Sequence, residues 1–225
     1  MRIPDPSGLA FLFFLLVFLP VMARRSARRA ETADTDTIST AKTWTSTLVT
    51  QGVLFALALV VGRTFGFAMF AVPHLGAREL LAAVAAIAVQ FAIRWAARLM
   101  HTEQELRDKV LLRWFPKNGG EWSLFLAALL AASIAEEAAY RGVGMAILWW
   151  STGSWLVSAL ACSLAFALAH AVQGGKSMAG IFLLALSMHV LVWYTETLVI
   201  AMAVHAIYDV AVSLLKKREM DSWAS

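Results

Sequence analysis

Several ionisable side chains fall inside apolar stretches in the carboxyl-terminal half of this chain. A charged residue at the centre of a membrane-spanning helix costs about 2.5–3.5 kcal/mol, so such residues mark functional sites by default. A carboxylate with imidazoles nearby can act as a general base with partners for proton transfer. The ionisable residues at this depth are Glu136, Glu137, Arg141, His170, His189, His205 and Asp209.

The first pattern is the sequence Glu-Glu-Ala-Ala-Tyr-Arg, which begins at Glu136. Glu137 and Arg141 stand four residues apart on one helix face and can form an ion pair, which leaves Glu136 the freer carboxylate. A neutralised carboxylate and a second one in a low-dielectric pocket differ in proton affinity, as an acid–base site requires. We therefore predict that Glu136 is the general base, with Glu137 beside it and Arg141 in a structural role.

Two further patterns each place a histidine one helical turn from a partner. They run from Phe166 to His170 and from His205 to Asp209, and Asp209 can orient the His205 ring. His189 has no such partner, so we expect it to hydrogen-bond between helices. We expect Tyr140, Phe166 and Tyr208 to pack between helices rather than to bind lipid, with Tyr140 and Phe166 as structural support for the site.

A length argument tests whether these patterns can meet. If the helices turn at residues 151–154, Glu136 and His170 each lie about 25 Å from that turn, level across an antiparallel hairpin. His205 is shallower by several ångströms. Helix tilt or a kink at Gly142 or Gly144 closes this gap, so the lengths permit one site.

Composition indicates where these patterns reside. Of the 225 residues, 60% are hydrophobic and 15% are charged, and the mean hydropathy is +0.69, which excludes a soluble globule. Seven apolar stretches approach the roughly 20 residues that a helix needs to cross a bilayer. We predict an all-α polytopic membrane bundle of about seven transmembrane helices, at residues 9–23, 48–72, 80–99, 122–150, 155–171, 178–194 and 198–215.

Clusters of Lys and Arg between the stretches predict the topology, because basic loops stay on the cytoplasmic side. Residues 24–29, 101–121 and 216–218 are rich in these residues, which places the amino terminus outside and the carboxyl terminus in the cytoplasm. Since membrane orientation explains the basic charge, we expect contact with the lipid bilayer and no nucleic acid. The single cysteine, Cys162, excludes an internal disulfide framework.

These observations divide the chain into three segments. Residues 122–215 contain all three patterns and form the predicted catalytic core. Residues 1–121 hold the amino-terminal helices, and residues 216–225 form a basic cytoplasmic tail.

Two features are predicted within the first segment. Residues 31–44 are polar without periodicity, which indicates a cytoplasmic linker. Between His101 and Glu121, apolar residues at helical spacing predict an amphipathic interfacial helix that ends at residues 116–120.

In order, the three patterns are EExxxR, FxxxH and HxxxN/D. They resemble the three motifs of the CAAX protease and bacteriocin-processing (CPBP) family, which includes the type II CAAX prenyl endopeptidases and their prokaryotic relatives. The resemblance covers residues 122–215 and is strengthened by Tyr140-Arg141-Gly142 and by His170-Ala-Val-Gln173-Gly174.

The resemblance implies an intramembrane endopeptidase with a conical catalytic cavity inside the bundle. In this family pattern Glu136 activates water with help from His170, and His205 and residue 209 stabilise the oxyanion. The chain departs from the pattern at Asp209, where the best-characterised eukaryotic relatives have Asn. An ionised Asp cannot donate to an oxyanion, so Asp209 must be protonated, act through His205 or ligate a metal.

The cofactor requirement stays open. The resemblance implies a glutamate mechanism that requires no cofactor. Two histidines and a carboxylate also match the ligand preference of zinc, so His170, His205 and Glu136 form an alternative zinc site, although the chain lacks HExxH.

We expect a peptide or protein substrate cleaved at a prokaryotic cytoplasmic membrane: a peptide leader, a carboxyl-terminal tail or a sorting signal. Two other functions are compatible with the same residues. One is a bacteriocin self-immunity or scaffold protein of the same family without proteolysis. The other is a proton- or ion-coupled transporter, although the sequence shows no inverted repeat.

Overall fold

The structure, a computed structural model, describes residues 4–32, 39–71, 75–108 and 110–224. Within these residues it contains six long helices, one shorter apolar helix and no β-strand, which confirms the predicted all-α bundle of about seven helices. The helices are α1 (Pro6–Glu31), α2 (Thr40–Thr64), α3 (Ala77–Leu99), α4 (Gly119–Thr152), α5 (Trp155–Ala169), α6 (Gly175–Thr195) and α7 (Leu198–Ala224).

Six of the seven helices are long and apolar enough to cross a membrane, and α5 is a shorter apolar helix of 15 residues. Many large hydrophobic side chains on the outside of the bundle are exposed, as a surface in contact with lipid requires. The protein is therefore an integral membrane protein.

Side-chain caps determine where several helices begin. Asp5 accepts a hydrogen bond from the Gly8 N–H at the start of α1, and Ser154 accepts one from the Val157 N–H at the start of α5. Between α4 and α5, Gly153 adopts a left-handed conformation (φ 72°) that a side chain would disfavour. The predicted turn at residues 151–154 is thus confirmed.

The interfacial helix was predicted incorrectly. The structure has two short helices in its place, Glu103–Arg107 and the 3₁₀ helix Val110–Trp114, and Lys109 between them lies outside the described residues. Asn118 does not end a helix but begins α4, because its side chain accepts a hydrogen bond from the Glu121 N–H at 3.0 Å.

Other helix boundaries in the structure also differ from the predicted ones. Helix α2 ends at Thr64, whereas the apolar stretch suggested residue 72. The linker predicted at residues 31–44 is shortened by α1 and α2, and its residues 33–38 lie outside the described residues. Helix α7 continues through the predicted tail to Ala224, where the ion pairs Lys216–Glu219 and Lys217–Asp221 join charges three and four residues apart.

The amino-terminal helices pack directly against α4. Helices α2 and α4 run in the same direction, since Trp44 contacts Phe125 near the start of both, with ring centroids 4.6 Å apart, and Gly62 faces Val143 further along. Helix α1 inserts Leu15, which is fully buried, against Gly144. The core of the bundle therefore joins the first two helices to the segment that contains the first motif.

Candidate active site

The first motif lies in a π-helical segment, Glu137–Gly144, in the middle of α4. Every residue of this segment is buried, and π segments of this kind often occur at functional sites. The predicted ion pair is present, with Arg141 Nη1 3.1 Å from Glu137 Oε1 and the two side chains 1% and 0% exposed. Arg141 also donates to the Ala185 carbonyl and lies over the Phe166 ring, 4.4 Å from its centroid.

His205 joins α7 to this ion pair. Its Nδ1 lies 2.8 Å from Glu137 Oε1, and its Nε2 lies 3.4 Å from Asp209 Oδ2. Carboxylate oxygens accept hydrogen bonds, so each ring nitrogen of His205 can donate to a carboxylate. The expected contact between Asp209 and His205 is present, and Glu137 is a second, closer partner that the sequence did not indicate.

Glu136 is separate from this network. Its Oε1 accepts a hydrogen bond of 2.8 Å from Gln51 Nε2, which projects from α2. The residue is 9% exposed, whereas Glu137 has no exposed surface. Of these adjacent carboxylates, Glu136 is therefore the more exposed one.

The second motif places His170 directly after the last residue of α5. Its Nδ1 lies 2.7 Å from the Phe166 carbonyl oxygen. Because a carbonyl oxygen can only accept, Nδ1 carries the proton in this bond, and Nε2 of the neutral ring is an acceptor.

The Phe166 ring lies among all three motifs. Its centroid is 4.5 Å from that of His170, 5.1 Å from Tyr140 and 6.4 Å from His205. Tyr140 is buried edge-on against this ring, and its hydroxyl has no hydrogen-bond partner among the described residues. The structure thus groups the predicted supporting residues around the predicted catalytic ones.

The zinc alternative is not matched by this arrangement. In the part of the chain that the structure describes, no group of three or more His, Cys, Asp or Glu side chains is placed to hold a metal ion. Both nitrogens of His205 face carboxylates, Glu136 contacts Gln51, and Nδ1 of His170 contacts a carbonyl. We therefore derive no catalytic step through a metal.

Two other findings lie beyond the predicted site. His189, expected to hydrogen-bond between helices, is buried on α6, and its Nε2 has no hydrogen-bond partner among the described residues.

Two surface pockets, one near Arg78 and Tyr194 and one near Arg107, lie at helix ends outside the site. The conical cavity inside the bundle therefore stays a prediction.

Gln51 is the site residue that the sequence analysis missed. That analysis selected charged residues and histidines, and an amide at the edge of an apolar stretch did not stand out. Amide side chains in membrane helices tend to hydrogen-bond across helix interfaces. Because Gln51 is a polar residue within such a helix, this tendency could have identified it from the sequence.

Comparison with known families agrees with the three motifs. Residues 118–211 match the family model described as type II CAAX prenyl endopeptidase Rce1-like. The matched segment begins at the cap of α4 and ends in α7 just after Asp209, so it contains every predicted catalytic residue. No curated protein and no solved structure matches the chain. The resemblance to this protease family is confirmed, and it lies in the part of the chain that holds the site.

Proposed function

We propose that the protein is an intramembrane endopeptidase in which Glu136 activates water. The observation that supports this most directly is the pair of adjacent carboxylates with different surroundings. Glu137 is fully buried and bound to Arg141 and His205, while Glu136 is bound to an amide and keeps some exposure. Such a difference separates a structural carboxylate from a general base.

The proposed reaction is hydrolysis of a peptide bond. Glu136 takes a proton from water as the water oxygen bonds to the carbonyl carbon, and the proton then passes to the amine nitrogen as the C–N bond breaks. The products are a carboxylic acid and an amine, so the atoms balance. Nε2 of His170 is an available acceptor that can hold the second hydrogen of the attacking water.

We assign the oxyanion to the Nε2 proton of His205. This nitrogen is 3.4 Å from Asp209, a long contact, whereas Nδ1 is held at 2.8 Å by Glu137. Nε2 is therefore the nitrogen whose hydrogen bond can shift to a developing negative charge. On this assignment Glu137 and Asp209 act through His205, and Arg141 acts through Glu137.

The substrate that we propose is a peptide segment at a prokaryotic cytoplasmic membrane: a leader, a carboxyl-terminal tail or a sorting signal. The proposed orientation has the amino terminus outside and the carboxyl terminus in the cytoplasm. The support for it is the distribution of basic residues, since residues 24–29 and 216–218 lie at the same predicted face.

The test is single-turnover cleavage of tagged candidate substrates by purified protein, with and without a chelator. Wild type is compared with Glu136→Gln and with Glu103→Gln, a control at a glutamate whose side chain is 78% exposed. We expect Glu136→Gln to reduce the cleavage rate about 10²- to 10⁴-fold, as loss of a general base does, and the control to cleave like wild type.

Three results would count against the proposal. Equal cleavage by wild type and Glu136→Gln would exclude Glu136 as the base, and loss of cleavage with chelator would restore a metal mechanism. If wild type is inert on every candidate while Glu136→Gln still protects cells against a toxin, the immunity or scaffold function takes its place.

A further inference from the structure

Helix α2 lies outside residues 118–211, which match the protease family, yet it contacts the proposed base. We propose that Gln51 is a positioning residue of the active site: its carboxamide holds the Glu136 carboxylate in place for proton transfer. This inference rests on the proposed function. It extends the catalytic unit beyond residues 122–215 to include an amino-terminal helix.

The direction of the hydrogen bond follows from the chemistry of the two groups. An ionised carboxylate can only accept, so the amide must present its N–H group to Glu136. The structure has this arrangement, with Gln51 Nε2 2.8 Å from Glu136 Oε1. A donor at this distance is within ordinary hydrogen-bonding range and fixes the orientation of the carboxylate oxygen that it contacts.

The other end of the amide supports a functional role. Gln51 Oε1 is buried and has no hydrogen-bond partner among the described residues. A buried acceptor without a donor is costly, and an amide kept for packing alone normally satisfies both ends. Water and peptide N–H groups, both present in the proposed reaction, are donors that can meet this oxygen.

The helix around Gln51 is packed against its neighbours on both sides of this residue. Before it, the Trp44 Nε1–H donates to the Trp114 carbonyl at 2.9 Å, and the Trp44 ring packs against Phe125. After it, Leu54 is buried in the core. A side chain on a fixed helix can hold a carboxylate more closely than one on a loop.

The chain offers a matched control in Gln90 of α3. This glutamine is 2% exposed, and its Nε2 contacts the sulfur of Met188 rather than a carboxylate. Substitutions at Gln90 therefore reproduce the loss of a membrane-buried amide without touching Glu136.

The experiment measures kcat, KM and the pH dependence of cleavage for Gln51→Met, Gln51→Glu, Gln90→Met and Gln90→Glu in the full-length protein. We expect Gln51→Met to lower kcat roughly 10- to 100-fold, the effect of losing a hydrogen bond to a charged group, with KM changed less than about twofold. The Gln90 variants should retain wild-type kcat and pH dependence.

Gln51→Glu tests whether residue 51 lies beside the proposed base in the working enzyme. A second carboxylate beside Glu136 shares a proton with it, so the acidic limb of the pH–rate profile should move upward by about one pH unit or more. This variant is nearly isosteric, so it provides the test even if Gln51→Met fails to fold.

The outcomes separate this inference from the proposed function. If wild type cleaves, Glu136→Gln does not, and both Gln51 variants match the Gln90 controls in kcat and in pH profile, the role of Gln51 is wrong while the protease stands. If Glu136→Gln cleaves as well as wild type, both proposals fall together.

Discussion

Two glutamates in this molecule form ion pairs in different surroundings. Glu137, in the middle of α4, is bound by Arg141 and His205 and has no exposed surface. Glu219, near the end of α7, has a side chain that is 24% exposed. Its cationic partners are Arg94, Arg98 and Lys216.

The contribution of each cluster to stability depends on its burial rather than on the number of its positively charged partners. A group at the surface keeps part of its hydration and can exchange partners, so an exposed pair contributes about 0–1 kcal/mol. A buried charge that loses its partner has no water to replace it. The Glu219 ion pairs between α7 and α3 can therefore be lost at little cost in stability. The buried Glu137 ion pair, in contrast, is needed for the fold and belongs to the proposed site.

The largest effect is expected from Glu137→Leu, which leaves Arg141 charged and buried without its carboxylate. We expect a loss of about 3–5 kcal/mol in unfolding free energy, measured by thermal or denaturant unfolding in detergent. The double variant Glu137→Leu with Arg141→Leu should recover much of this loss, because both charges are removed. No recovery in the double variant would show that the ion pair is not the source of the effect.

A smaller loss of stability is expected when a side chain is added to the closely packed backbone at Gly144. A methyl group added at Gly144 would lie 2.6 Å from Leu15 Cδ2 and 2.8 Å from the Ala139 carbonyl oxygen, and the latter belongs to the backbone. Gly144→Ala should therefore cost about 1–3 kcal/mol in an unfolding measurement. The control is Gly52→Ala, where the methyl group meets nothing within 4 Å, and equal stability of the two variants would contradict the packing argument.

At the partly exposed Glu219 cluster, Glu219→Gln should cost about 1 kcal/mol in unfolding free energy, less than Glu137→Leu, because these side chains keep part of their hydration. The effect should shrink further as salt is added, since screening weakens exposed pairs. A loss as large as that of Glu137→Leu would remove the distinction between the two clusters.

The smallest effect is expected at Glu105, an exposed carboxylate that accepts two hydrogen bonds from Lys176 Nζ, at 2.7 and 2.9 Å. Lys176 holds the pKa of Glu105 below its ordinary value of 4.5. Since the folded pKa is lowered, this stabilisation is present above pH 4.5 and is lost as the pH falls through the folded value. In Lys176→Met an NMR titration should return the Glu105 pKa toward 4.5, and an unchanged titration would contradict the pairing.

The sequence predicts most of the helices and part of the site. Apolar length predicts the spans, and spacing within one helix predicts the Glu137–Arg141 pair, because both are local properties. Gln51 could not be paired with Glu136, since the two residues are 85 positions apart and apolar helices do not indicate which faces meet. The π segment was also missed, because a few residues of altered winding leave no trace in an apolar pattern.

The length of α5 has a consequence for the lipid around the site. Fifteen residues rise about 22 Å, whereas the hydrocarbon core of a bilayer is about 30 Å thick. Its outer face, with Leu156, Leu160, Leu164 and Leu168, is exposed, and a span this short favours local thinning of the bilayer beside it. His170 lies directly after the end of this helix, so local thinning would shorten the distance from water to His170. Longer acyl chains in the surrounding lipid oppose such thinning, so on the proposed function we expect the cleavage rate to fall as the bilayer becomes thicker.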